Sequence, residues 1–125
     1  IDVVIDGGEI HDHKWLGVRE AAEEHEAGRL NMLPPTYFTL QHLSHYDNLA
    51  QMIAAERHSP APEVFPIFAS DGDQILVMFR GDAGYDSADA TLPGARHRAV
   101  LEGKCWQYQY RDVDSRYPPL IKPVL

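Results

Sequence analysis

An α+β fold is predicted for this chain, and three features predict it. The first half holds Ala- and Glu-rich stretches with apolar residues three and four positions apart. The second half holds short alternating runs rich in β-branched and aromatic residues, punctuated by glycine. The two halves meet at Ser59-Pro60-Ala61-Pro62, a linker by composition. With 125 residues, 44% of them hydrophobic, the chain has the size and core of one domain. The expected arrangement is N-terminal strands and two or three helices over residues 1–58. Two β-hairpins over residues 59–125 then pack on that part as a single compact unit.

The elements follow in order. Residues 2–6 form a short apolar run closed by Gly7-Gly8, a strand and then a turn. Residues 9–16 alternate: as a strand they put Glu9, His11, His13 and Trp15 on one face. Residues 18–27 contain no breaker and read as helix, with Gly28 at its C-terminal cap. The double proline of Leu33-Pro34-Pro35-Thr36 cannot lie inside a helix, so it forms a rigid elbow, with Pro35 or Thr36 starting the next helix. Tyr37, Leu40, Leu43, Leu49, Met52 and Ile53 keep helical spacing over residues 36–57. Ser44-His45-Tyr46-Asp47 interrupts the pattern and predicts a kink or two helices, with Ser44 as the cap. Residues 64–69 read as an edge strand because of Pro66. Asp71-Gly72-Asp73 is a turn to a second strand over 74–79. Residues 80–94 are a loop of functional length. Residues 96–102 and 104–110 form a second hairpin about Gly103, and the prolines at 118, 119 and 123 predict an extended tail.

Composition excludes several partners. Acidic residues outnumber basic ones 19 to 11, for a net charge of −8, so a nucleic-acid polymer is not expected. No run reaches the roughly 18 apolar residues of a membrane span, so no membrane partner is expected. The single cysteine, Cys105, permits no internal disulfide and fits a reducing, cytoplasmic location. The start Ile1-Asp2-Val3-Val4-Ile5 looks like the middle of a strand, as if something preceded it.

Four groups of residues invite a chemical reading. Glu20, Glu23 and Glu24 share a helix face, and clustered carboxylates can hold Mg²⁺ against a diphosphate. Around Arg19 the letters echo a Nudix box, but the box's first Gly falls on Ile5, its first Glu on His11 and its later Gly on Glu26. A solvated acidic face is the simpler reading. Glu9, His11 and His13 on one strand face would suit Zn²⁺ or Fe²⁺, with burial of that face beside Trp15 as the competing reading. Arg96 and Arg98, near Arg80 and Lys104, form the basic concentration of the chain and could grip a phosphate or carboxylate, or pair with the abundant acids. Cys105, in a strand, reads as an inert thiol, and Arg80-Gly81-Asp82 as a turn rather than an integrin-type motif.

Several of these stretches together resemble one family. Gly7-Gly8-Glu9-Ile10, Trp15, Glu20-Ala21, Gly28 and Leu33-Pro34-Pro35-Thr36 are similar to the region after the catalytic helix in the coenzyme A diphosphatase-like branch of the Nudix hydrolases. Gly81-Asp82, Tyr85, Pro93-Gly94, Arg96-His97-Arg98, Gly103 and Trp106-Gln107-Tyr108 look like the C-terminal extension of bacterial members, with Phe79-Arg80 in place of the usual Leu-Pro. The resemblance covers nearly the whole chain but not the Nudix box. It implies the C-terminal part of a hydrolase acting on a nucleoside-diphosphate-linked or coenzyme A-type substrate. Mg or Mn would be held by the box and not by this chain. By the same resemblance Glu9 is an accessory catalytic carboxylate, and Leu33, Pro34, Pro35, Thr36, Arg96 and Arg98 are substrate-binding walls. The alternatives are a non-catalytic ligand-binding or dimerisation module, the latter as a homodimer, and an independent metalloenzyme using Glu9, His11 and His13.

Overall fold

The computed structural model describes residues 2–121. Three helices, α1 (Val18–Glu26), α2 (Pro34–Leu43) and α3 (Leu49–Glu56), precede four strands, β1 (Ile67–Asp71), β2 (Gln74–Met78), β3 (Arg96–Glu102) and β4 (Cys105–Arg111). The strands form one antiparallel sheet in the order β1-β2-β3-β4. This is the α+β arrangement that the helical and alternating patterns predict, with β1–β2 and β3–β4 as its two hairpins. Each hairpin closes through a two-residue turn whose first residue is a glycine at positive φ, Gly72 (+59°) and Gly103 (+62°).

The sheet has an apolar layer on each face. Val77, Phe79, Ala99 and Trp106 pack against Tyr37 and Phe38 of α2. Leu76, Met78 and Val100 point the other way and are covered by Ala90 and Tyr85 of the long loop 79–95. α1 packs on α2 and touches β4. α3 buries no residue; Glu56 ties it to α2 by pairing with His42 Nε2 (2.5 Å), and to the intervening turn by accepting from Tyr46 Oη (2.6 Å).

The N-terminal strands are not formed. Residues 2–17 are irregular and mostly exposed, with Asp6 Oδ1 accepting from the N–H groups of Gly8 and Ile10. Alternation alone cannot hold a strand, because a strand without a neighbour leaves its backbone groups unpaired. The elbow also differs in detail. Leu33 is the N-cap and both prolines lie in the first turn of α2, where an N–H has no helical partner to lose. The break between α2 and α3 falls where expected, but Asn48 caps α3 by accepting from Gln51 N–H (2.9 Å), in place of Ser44. β1 starts only after Pro66, and its place at the sheet edge is as predicted. Pro118 and Pro119 lie in irregular chain. Pro123 lies outside the described residues, as does Ile1.

Candidate functional site

The loop 79–95 is built around a buried ion pair. Arg98 Nε donates to Asp82 Oδ2 (2.8 Å) and Arg98 Nη2 to Oδ1 (2.6 Å), a bidentate pair. The carboxylate also accepts from the N–H groups of Gly84 and His97 (both 2.9 Å). Arg98 Nη1 donates to Ala90 O (3.0 Å). Burial alone would raise the Asp82 pKa, but Arg98 and the two backbone donors outweigh it and hold the carboxyl below its ordinary value. Gly84 has no room for a side chain, since a Cβ there would lie 2.1 Å from Asp89 O. His97 is buried among the rings of Phe79, Tyr108 and Tyr110, with Nδ1 donating to Arg80 O (2.6 Å) and no partner for Nε2.

This core anchors a polar cleft of about 520 Å³ between the start of the loop and the turn at residues 114–117. Arg80 and Arg116 line it with Tyr85, Tyr117, Asp86 and Asp114. Arg80 lies over the Phe65 ring (5.3 Å), and Arg116 lies over the Tyr117 ring (5.6 Å) while pairing with Asp114 (3.0 Å). Tyr85 Oη donates to Phe65 O and Tyr110 Oη to Tyr117 O (both 2.7 Å), which pins both walls. Gly81 lets them meet: a Cβ there would lie 2.7 Å from Val113 Cγ1. The guanidinium groups carry N–H donors suited to a phosphate or carboxylate, although Asp114 already takes Arg116 Nε, and the tyrosine rings offer flat surface to a planar group. A second cleft, about 470 Å³ and mainly apolar, lies between the start of α1 and the α2–α3 junction, with Val18, Leu43, Leu49 and Met52 in its walls.

The structure separates the residues that the sequence grouped. Arg98 is not a ligand contact: Asp82 and Ala90 take up its donors in the interior. Arg96, half-buried, donates to Leu92 O (2.8 Å). Both arginines alternate with Ala99 along β3, so they face away from α2, while Leu33, Pro34, Pro35 and Thr36 open α2 on the other face. These two sets cannot wall one pocket. Pro34 is fully buried, whereas Leu33, Pro35 and Thr36 are exposed. Glu9 is exposed in irregular chain, as are His11 and His13. Among the described residues no group of three or more His, Cys, Asp or Glu is placed to hold a metal ion.

The fates of the other candidates are simpler. Asp82 is buried, so Arg80-Gly81-Asp82 is not displayed as a recognition motif. Burial, reinforced by Glu26 and Glu102, pushes the Cys105 thiol up, which disfavours the thiolate. His25, unremarked in the sequence, is a core residue: its Nδ1 donates to Leu30 O (2.9 Å) and its Nε2 accepts from Trp106 N–H (3.3 Å), so it ties α1, the elbow and β4 together. No described helix is long and apolar enough to cross a membrane.

What the fold and the cleft define is an α+β protein with a polar cleft lined by two arginines, two tyrosines and three aspartates. Comparison with protein-family models, with curated proteins and with solved structures returned no match to this chain.

Proposed function

We propose that this chain is the C-terminal, substrate-binding part of a Nudix-type hydrolase acting on a nucleoside-diphosphate-linked or coenzyme A-type substrate. The observation that carries the reading is the cleft in which Arg80 and Arg116 stand beside Tyr85 and Tyr117. A diphosphate linked to a planar base needs that pairing of cations and ring faces. The chain's overall charge of −8 and the cleft's own Asp86 and Asp114 oppose such a ligand, so Arg80 and Arg116 are the groups that would have to admit it. Mg or Mn would come with the Nudix box, outside this chain, and activate the attacking water. The chain itself binds and orients the substrate, and Glu9 stands as an accessory carboxylate on the exposed N-terminal segment.

Calorimetric titration with ADP tests the reading. The chain binds ADP, and Arg80→Ala with Arg116→Ala weakens binding by about tenfold or more. The chain alone, given Mg²⁺, leaves ADP-ribose intact. Absence of ADP binding, or binding indifferent to both arginines, overturns it.

A further inference from the structure

The two edges of the sheet, β1 and β4, are finished differently. On β4 the outward N–H of Trp106 is taken by His25 Nε2, and α1 packs there. β1 has no such cover among the described residues. The register decides which of its groups look outward. Asp71 and Gln74 flank the two-residue turn, so that pair, Ala69 with Leu76 and Ile67 with Met78 exchange hydrogen bonds within the hairpin. The N–H and C=O groups of Phe68 and Ser70 therefore point away from β2. Their side chains share the face that α2 covers at Val77, but the cover stops short: Phe68 is 61% exposed and its neighbour Ile75 51%. Sheets usually blunt such an edge with lysine, proline or a bulge. β1 reads Ile-Phe-Ala-Ser-Asp: Pro66 stands just before it and its one charge, Asp71, is at the turn, so residues 67–70 carry no charge, proline or bulge.

We propose that β1 is a homodimer interface, two copies pairing β1 to β1 antiparallel about a two-fold axis at Ala69. Three observations select a second copy. In this register Phe68 of each copy meets Ser70 of the other, so every outward N–H and C=O of the two residues finds a partner. The residue on the axis, where the strands approach most closely, is a small alanine. The strand ends carry opposite charge: Arg80 lies over Phe65 at one end, and Asp71 and Asp73 stand at the other. Antiparallel pairing sets the Phe65–Arg80 end of each copy against Asp73 of its partner. Phe68 and Ile75 of both copies then make one apolar strip. An interface of two short strands lies at the small end of the range, below about 1,200 Å², so the dimer is a weak one that forms as concentration rises.

Sedimentation equilibrium on the chain from roughly 10 µM to 1 mM tests this. The mass rises from 14.1 kDa toward twice that value. Phe68→Lys and Ser70→Pro, neither of which removes a hydrogen bond within the sheet, each stay monomeric. Leu49→Lys, at an exposed apolar position on α3, associates like the parent chain. Far-UV circular dichroism checks that each variant folds, and Asp73→Lys, outside the strand, weakens the dimer by charge alone. Hydrogen exchange at the Phe68 and Ser70 amides slows as concentration rises. A monomer across the whole range overturns the proposal, as does a Phe68→Lys dimer or loss of the dimer in Leu49→Lys. The readout is mass and amide protection, so it stands or falls apart from ADP binding.

Discussion

Replacing Asp82 with alanine is the severest single test of how this fold holds its cleft. The carboxylate accepts from Arg98 Nε and Nη2 and from the Gly84 and His97 N–H groups, all within 2.9 Å. Its removal strands the Arg98 guanidinium in the interior beside Met78 and Ala90. Breaking a buried pair by deleting one partner costs about 3–5 kcal/mol. Domains of this kind are stable by only about 5–15 kcal/mol. At about 4 kcal/mol, the midpoint of thermal unfolding falls by about 15 °C for a chain of this length. Urea unfolding followed by Trp106 fluorescence measures the loss. Arg98→Met in the Asp82→Ala background then costs little more, because no charge remains stranded, so the double variant falls short of the sum of the singles by about 2 kcal/mol. A loss below about 1 kcal/mol for Asp82→Ala, or additive singles, would refute the claim that this pair organises the loop.

Two further outcomes follow from the same region. Gly84→Ala drives a methyl group into Asp89 O, forces the loop backbone to move and costs about 1–3 kcal/mol in urea unfolding; a change under about 0.5 kcal/mol contradicts that geometry. Burial holds the His97 pKa below its ordinary value, against the opposing pull of the Arg80 carbonyl and the Asp82 charge. The unfolded chain therefore takes up a proton at higher pH than the folded one, and stability is lost as pH falls below the ordinary histidine value. In His97→Phe, with Phe79, Tyr108 and Tyr110 still around the ring, urea midpoints between pH 7 and 5 depend less on pH; an unchanged slope rules out His97 as the source.

Local signals made most of the scaffold legible. Gly28 past α1, Gly72 and Gly103 at the hairpin turns and Pro66 at the mouth of β1 each act on the backbone next to them, so the sequence shows their effect directly. Residues 2–16 misled for the opposite reason, because alternation describes a strand only when a neighbour exists to pair with it. The site was harder to read. Arg96 and Arg98 stood out as basic residues on one strand face, but nothing near them in sequence reveals that Asp82, sixteen residues earlier, folds back onto Arg98. Arg80 was visible as part of the basic concentration. Arg116 and Tyr117 were not, since they reach the cleft only because the chain after β4 returns past Gly81.

The most direct test of the binding account is the side-chain NMR spectrum of the arginine Nε–H groups as ADP is added. The account predicts that the Arg80 and Arg116 signals move together with rising ADP while Arg98, held by Asp82 in the interior, stays in place. A spectrum that does not change, or one in which Arg96 moves and Arg80 does not, would contradict it.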